Sequence, residues 1–395
     1  MSNGPFNILS SFFAHRLTRQ VRELYASSVI LDFASCMVSI FEPVFLYVFF
    51  SQTHNLQDTL ELITLFYLLV YIPYFFLVPL GAKFARRFGY ENSIALSTPF
   101  LVLMYFLLFS ANQFAPAVWL AVIPYVIFKM LYWPSYHSNF AKFSAEGEQG
   151  RQIGNLYAIL NVVYVISPLV GGLILQFYGF KVLFVVAAVL ILASNIPMLI
   201  TKEEFEPKSF SYREAFRRVF TREHRLKLWA NLGFGEEWIV LVIWPIFIFL
   251  VVSNYLNLGI LSAASTLVSL VVLLFIGRWT DKNDRQQIIG YSTVFYFLSW
   301  LLKLVTRLPL GVLLLDIFSR VSKDSLTVPI TAFTYKDAKD GSVMNTIVFF
   351  EMSLVLGKIA AMFVCFLALQ LVAPGWNTMF IVGAIFTLFY LFYRL

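Results

Sequence analysis

GRWTDKNDRQ, residues 277–286, is a knot of charge between two stretches that are almost wholly apolar. LSAASTLVSLVVLLFI runs up to it and IIGYSTVFYFLSWLL follows it, while a worn copy, GAKFARRFGY, stands at residues 81–90. Apolar runs of this length, stapled by short charged turns, read as helices that cross a bilayer and re-emerge, since about 20 mostly apolar residues span the hydrocarbon core. In the turn, Gly277 lets backbones approach at a helix end. Asp281 suits a helix N-terminus, whose free N–H groups carry partial positive charge.

The rest of the chain agrees. Of its 395 residues 59% are hydrophobic, 18% aromatic and 13% charged, against about 25% charged in soluble domains. The mean hydropathy is +0.77. A polytopic membrane protein follows. Its net charge of +7 then marks loops on one side of the membrane rather than nucleic-acid binding. Cys36 and Cys365 both lie inside apolar runs, as small buried hydrophobes do; they offer neither a disulfide framework nor a metal site. The first 25 residues carry no cleavage-site pattern, and Phe12, Phe13, Leu17 and Val21 are expected to form one face of a surface helix.

Twelve windows qualify as spans: 25–50, 59–80, 92–112, 117–139, 154–176, 181–200, 227–252, 255–277, 288–305, 309–332, 343–372 and 376–394. The ninth and tenth are weakest, because Lys303, Arg307, Asp316, Arg320, Lys323 and Asp324 lie in or near them. With a cytoplasmic N-terminus, only Lys181, Lys303 and Arg307 fall on the far side, an asymmetry that fits an even number of spans with both termini inside. The expected location is the cell membrane.

The polar stretch from Thr201 divides the windows six and six. It predicts one unit over 1–200, a linker over 201–226 and a second unit over 227–395. Ser211 to Glu214 reads S-Y-R-E, a capping box for a short helix. The two units also match in sequence. Gly179 and Gly375 lie 196 residues apart, as do Phe184 and Phe380; Pro134 and Pro329 are 195 apart, and Pro43 answers Pro245. Internal repeats mark secondary transporters.

Twelve spans in two repeated units, with a charged G-x-x-x-D-[RK] loop, resemble the major facilitator superfamily. Gly277, Asp281, Lys282 and Arg285 match the family's loop signature, with Asp284 at its second glycine; the first copy departs further, with Ala82 at the glycine position and Arg86 at the acidic one, then Arg87 and Gly89. The resemblance implies an all-α membrane fold of two six-helix bundles related by a pseudo-two-fold axis. It implies, too, that Asp281 approaches Arg151 and Gly154 across the interface, and that Arg86 and Arg87 face Asp337 and Asp340, latching the cytoplasmic face. In the fifth window Gly154, Pro168, Gly171 and Gly172 match the family's antiporter pattern, where Val163 and Ser167 replace two glycines; this points towards efflux.

Charges inside a membrane cost about 2.5–3.5 kcal/mol each on insertion scales and normally face an interior or a wet cavity. Ser28, Asp32, Ser35, Ser39 and Glu42 share one helical face. Lys129, Trp133 and His137 step by four; Glu236 and Glu237 are adjacent, so one of them is expected to point squarely inward; Glu351 and Lys358 are seven apart. Asp32 and Glu351 lead as proton-exchange or substrate residues, with the other six ionisable groups as candidates. Asp316, Arg320 and Asp324 step by four as a local ion ladder. Trp133, Tyr157, Tyr164, Trp238 and Trp244 suit an amphipathic or cationic solute, or serve as anchors and lipid-facing bulk. No GK[ST] loop is present, so energy is expected from a gradient of protons or another ion. The expectation is therefore a monomeric secondary transporter of a small organic solute that needs no cofactor, metal or nucleic acid. A transporter-like sensor or scaffold, or a membrane enzyme, stands as the alternative; His15, His54, His137 and His224 are too scattered to support the enzyme.

Overall fold

A computed structural model describes residues 19–143, 148–200, 207–280, 285–340, 342–371 and 375–393. The expected surface helix around Phe12, Phe13 and Leu17 lies outside them. Among the described residues there are helices and turns and no strand. The α-helices are α1 (Arg19–Ser39), α2 (Glu42–Phe50), α3 (Leu56–Phe88), α4 (Tyr90–Ser110), α5 (Ala117–Leu120), α6 (Val122–Phe143), α7 (Glu148–Ala193), α8 (Asn195–Ile200) and α9 (Tyr212–Val219). After these come α10 (Arg225–Asn231), α11 (Glu236–Trp238), α12 (Trp244–Val252), α13 (Tyr255–Thr280), α14 (Arg285–Lys303), α15 (Pro309–Asp340), α16 (Val343–Leu371) and α17 (Trp376–Thr387).

Helix occupies all twelve predicted windows. Among the described residues, eight stretches are long and apolar enough to cross a membrane by length and composition. One of these, Ile159–Pro197, covers two windows. The 46 residues of α7 would run far beyond a hydrocarbon core of about 30 Å if straight. Gly179 breaks them, at φ 75° and ψ 178°. Its counterpart Gly375 precedes α17 at φ 150°, so both glycines matched in sequence hold positive φ ahead of a helix. Gly89, at φ 104°, turns α3 into α4 in the same way. The N-cap of the predicted capping box forms: Ser211 Oγ accepts from the Glu214 N–H at 3.3 Å and starts α9.

Two main seams join the first and second halves of the chain, α7 against α13 and α3 against α16. Glycine makes the first possible. A Cβ on Gly172 would stand 2.9 Å from the Tyr255 carbonyl oxygen, and one on Gly259 would stand 2.5 Å from that of Pro168. Gly171 serves the neighbouring contact with α1, where a Cβ would lie 2.2 Å from the Met37 oxygen. The fifth-window pattern therefore packs helices at close range. Within the second half, the chain that packs on α16 tightens to a 3₁₀ turn at Leu232–Gly235 and loosens to a π turn at Ile239–Ile243. Gly235 and Gly357 lie so close that a Cβ on either would meet backbone oxygen within 2.7 Å. That contact carries Glu237 to within reach of Lys358.

Candidate functional site

The ionisable side chains predicted to look inward gather in three places. The first is built on α11, α15 and α16. Lys323 of α15 bridges the adjacent carboxylates, contacting Glu236 directly and Glu237 at 3.3 Å. Lys358 takes the other oxygen of Glu237 at 2.9 Å. Tyr296 donates to Glu236 at 2.5 Å and Tyr390 donates to it at 3.1 Å, while Lys323 donates to the Tyr390 hydroxyl at 2.6 Å. Glu236 is wholly buried and Glu237 partly exposed, and the long Lys323 stem reaches both.

The second place crosses the boundary between the halves of the chain. Glu351 of α16 is buried. His137 Nε2 of α6 lies 3.1 Å from one of its oxygens, and the Tyr74 hydroxyl of α3 donates to the other at 3.0 Å. His137 stacks on Trp133, one turn earlier, with ring centroids 5.5 Å apart. The i, i+4 step seen in the sequence thus fixes the imidazole's direction.

The third place lies within the first half. Glu42 accepts from the Tyr67 hydroxyl at 3.2 Å. Lys129 donates to the Tyr71 hydroxyl at 3.5 Å, and its ammonium lies 4.9 Å from the Tyr71 ring centroid and 4.6 Å from that of Tyr125. Glu42 and Lys129 are both buried.

The polar stripe of the first window is not one continuous wall. α1 stops at Ser39, and a turn at 40–41 precedes Glu42. Ser39 is exposed and bonds its own backbone, at the Cys36 oxygen, at 3.4 Å. Asp32 accepts from the Tyr164 hydroxyl at 3.4 Å. The tenth-window ladder forms by half. Arg320 donates to Asp316 at 2.8 Å, whereas Asp324 accepts from Ser269 at 2.6 Å. Lys303, counted with the far-side loop charges, is instead wholly buried against the Trp244 and Trp300 rings at 4.5 and 3.8 Å. Trp238 and Trp244 are packed inside the fold.

Of the loop candidates, Arg87 stacks on Phe88 at 5.2 Å and Arg86 donates to Tyr90 at 3.5 Å. Gly277 lies in the last turn of α13 and Arg285 opens α14. Asp281 and Lys282 lie outside the described residues, as do the surroundings of Gly154 and the side chains of Arg285, Asp337 and Asp340. Sequence reasoning passed over Lys323 as a site residue, and with it the tyrosines. Tyr67, Tyr71 and Tyr74 step by four and three along α3, a helical face that could have been read.

A sequence profile described as the Major Facilitator Superfamily matches residues 31–258, more than half of the chain. The chain belongs to the major facilitator superfamily. No curated protein matches it. Among solved structures the fold is similar to "In meso crystal structure of the POT family transporter PepTSo", at a TM-score of 0.68 and 12% identity over 95% of this chain and 96% of that one. It is similar likewise to "Crystal structure of D-xylose-proton symporter", at 0.68 and 10% identity over 94% and 96%. At such identities the likeness is one of fold. This facilitator is thus a multi-pass membrane protein of a transporter family, and its buried ionisable groups sit on the helices that face one another across the molecule.

Proposed function

We propose that this facilitator is a secondary active transporter that carries a small organic solute by alternating access, with proton movement coupled at Glu351. The observation that carries the reading is the Glu351 junction. A buried carboxylate of the second half is held by a histidine and a tyrosine of the first, at 3.1 and 3.0 Å. Charge-assisted bonds of this kind are about twice as strong as neutral ones. Protonating Glu351 weakens them both, which frees the two halves to part. Proton binding and conformational change then share one free energy.

The reading takes residues 1–200 and 227–395 as two bundles joined by the 201–226 linker, working as a monomer in the cell membrane with both termini cytoplasmic. The lysine and arginine asymmetry supports that orientation. Approach of Asp281 to Arg151 and Gly154, and of Arg86 and Arg87 to Asp337 and Asp340, would close the linker end. The proton in one fold relative's title supports the choice of coupling ion. Pro168, Gly171 and Gly172 act through helix packing and so carry no argument for efflux.

The test uses proteoliposomes loaded with a pH-sensitive dye and challenged with a panel of small carboxylates, amines and sugars. Solute-dependent proton flux is expected in the wild type, with a loss of about tenfold or more in Glu351→Gln. Equal flux in that variant removes Glu351 from the mechanism. Chemical turnover without flux would mark an enzyme, and neither would mark a sensor.

A further inference from the structure

The lysines of the central region are not equivalent. Lys323 touches two carboxylates and Lys358 touches one. Lys129 is 7% exposed, and among the described residues no carboxylate lies within 4.0 Å of its ammonium. Its contacts are the Tyr71 hydroxyl and the rings of Tyr71 and Tyr125. Glu42 supplies the compensating charge at a remove. It is tied to Tyr67, which lies one turn of α3 before Tyr71, a spacing of about 5–6 Å on a helix surface.

A buried charge without a directly paired counter-charge carries a desolvation penalty of several kcal/mol. Aromatic faces return about 2 kcal/mol when desolvated, which offsets only part of it. The imbalance at Lys129 favours an anion beside it. Lys358, from the opposite half, lies 5.8 Å from the centroid of the same Tyr71 ring. A carboxylate at the edge of Tyr71 therefore meets ammonium groups from both halves of the chain. Tyr71 packs in turn on Tyr74 at 6.3 Å, and Tyr74 holds Glu351.

We infer that Lys129, with Tyr71 and Tyr125, forms an anion subsite that takes the carboxylate of an organic-anion substrate. Lys358 supplies the second cation. The substrate is a small carboxylate with an apolar or aromatic body, suited to a wall of tyrosine rings, and not the cationic solute that the aromatic content first suggested. Its carboxylate draws the two halves together at Tyr71, so binding favours the closed form. This rests on the transport reading for its meaning, but the binding itself can be measured apart from transport.

The experiment measures binding to the full-length protein in lipid nanodiscs by titration calorimetry, using benzoate with its neutral and cationic analogues benzamide and benzylamine. Saturable benzoate binding is expected, with both analogues weaker by about tenfold or more, as a charge-assisted contact requires. Lys129→Gln loses benzoate affinity by a similar factor, while Lys129→Arg keeps most of it. Glu42→Gln tightens benzoate several-fold, because it removes a competing negative charge; a purely structural Glu42–Lys129 partnership would not produce that gain. Absence of benzoate binding to the wild type, equal binding of benzamide, or unchanged affinity in folded Lys129→Gln overturns the subsite. Glu351→Gln is expected to retain saturable benzoate binding, weakened only as far as the closed form is disfavoured. If that variant moves protons like the wild type while Lys129→Gln loses benzoate, the coupling reading fails and the subsite stands. If folded Lys129→Gln binds benzoate normally while Glu351→Gln loses flux, the subsite fails and the coupling reading stands.

Discussion

The second half of the chain and the first treat buried lysine in opposite ways. Around α11 and α15, Glu236, Lys323, Glu237 and Lys358 form a continuous chain of ion pairs, with two tyrosine hydroxyls on Glu236. Around α6, Lys129 and Glu42 are kept apart, each on its own tyrosine. Both arrangements put lysine and glutamate inside an apolar fold, yet one satisfies its charges internally and the other leaves a cation available. Buried charge is therefore structural in one place and receptive in the other, and the difference lies in the spacing of partners rather than in their number.

The largest expected effect breaks the chain of ion pairs. Glu236→Ala strips Lys323, Tyr296 and Tyr390 of a shared acceptor and is expected to lower stability by about 3–5 kcal/mol, read from denaturant unfolding in micelles. Lys358→Met leaves Glu237 with Lys323 alone and should lose about 1–3 kcal/mol by the same measurement. A double-mutant cycle sharpens the contrast. Coupling between Glu237 and Lys358 is expected at about 1–3 kcal/mol, and between Glu42 and Lys129 at no more than about 1 kcal/mol. Smallest of all is Lys129→Met, expected within about 1 kcal/mol of wild type or slightly more stable, since no direct ion pair is broken. A large loss there would erase the distinction between the two sites.

The fold was open to reading because its signals are local. Apolar length marks a crossing, and every one of the twelve windows is helical. Gly179 and Gly375 could be paired by sequence alone and share positive φ. Ser211 caps its helix as its four-residue pattern requires. The site was readable only in part. His137 and Glu351 stood out as ionisable groups in apolar runs, but nothing in their spacing joined them. Lys323 stood out only as a charge beside the ladder of Asp316, Arg320 and Asp324, whereas it serves Glu236, 87 residues away. Asp324 leaves that ladder for Ser269, 55 residues distant. The break after Ser39 interrupts a polar stripe that a continuous helix would have kept intact.

By itself, then, the amino-acid order determined that this is a membrane protein, where its helices run and which ionisable side chains enter the apolar region. It determined near-neighbour pairs such as Asp316 with Arg320 as well, since one helical turn is set by backbone geometry alone. Which carboxylate meets which lysine was decided only when α3, α6, α11, α15 and α16 came together. The rotation and approach of helices depend on glycine contacts such as Gly235 with Gly357, and a shift of one turn would hand each charge to a different partner. Hydropathy is a property of residues one by one, while pairing is a property of surfaces in contact.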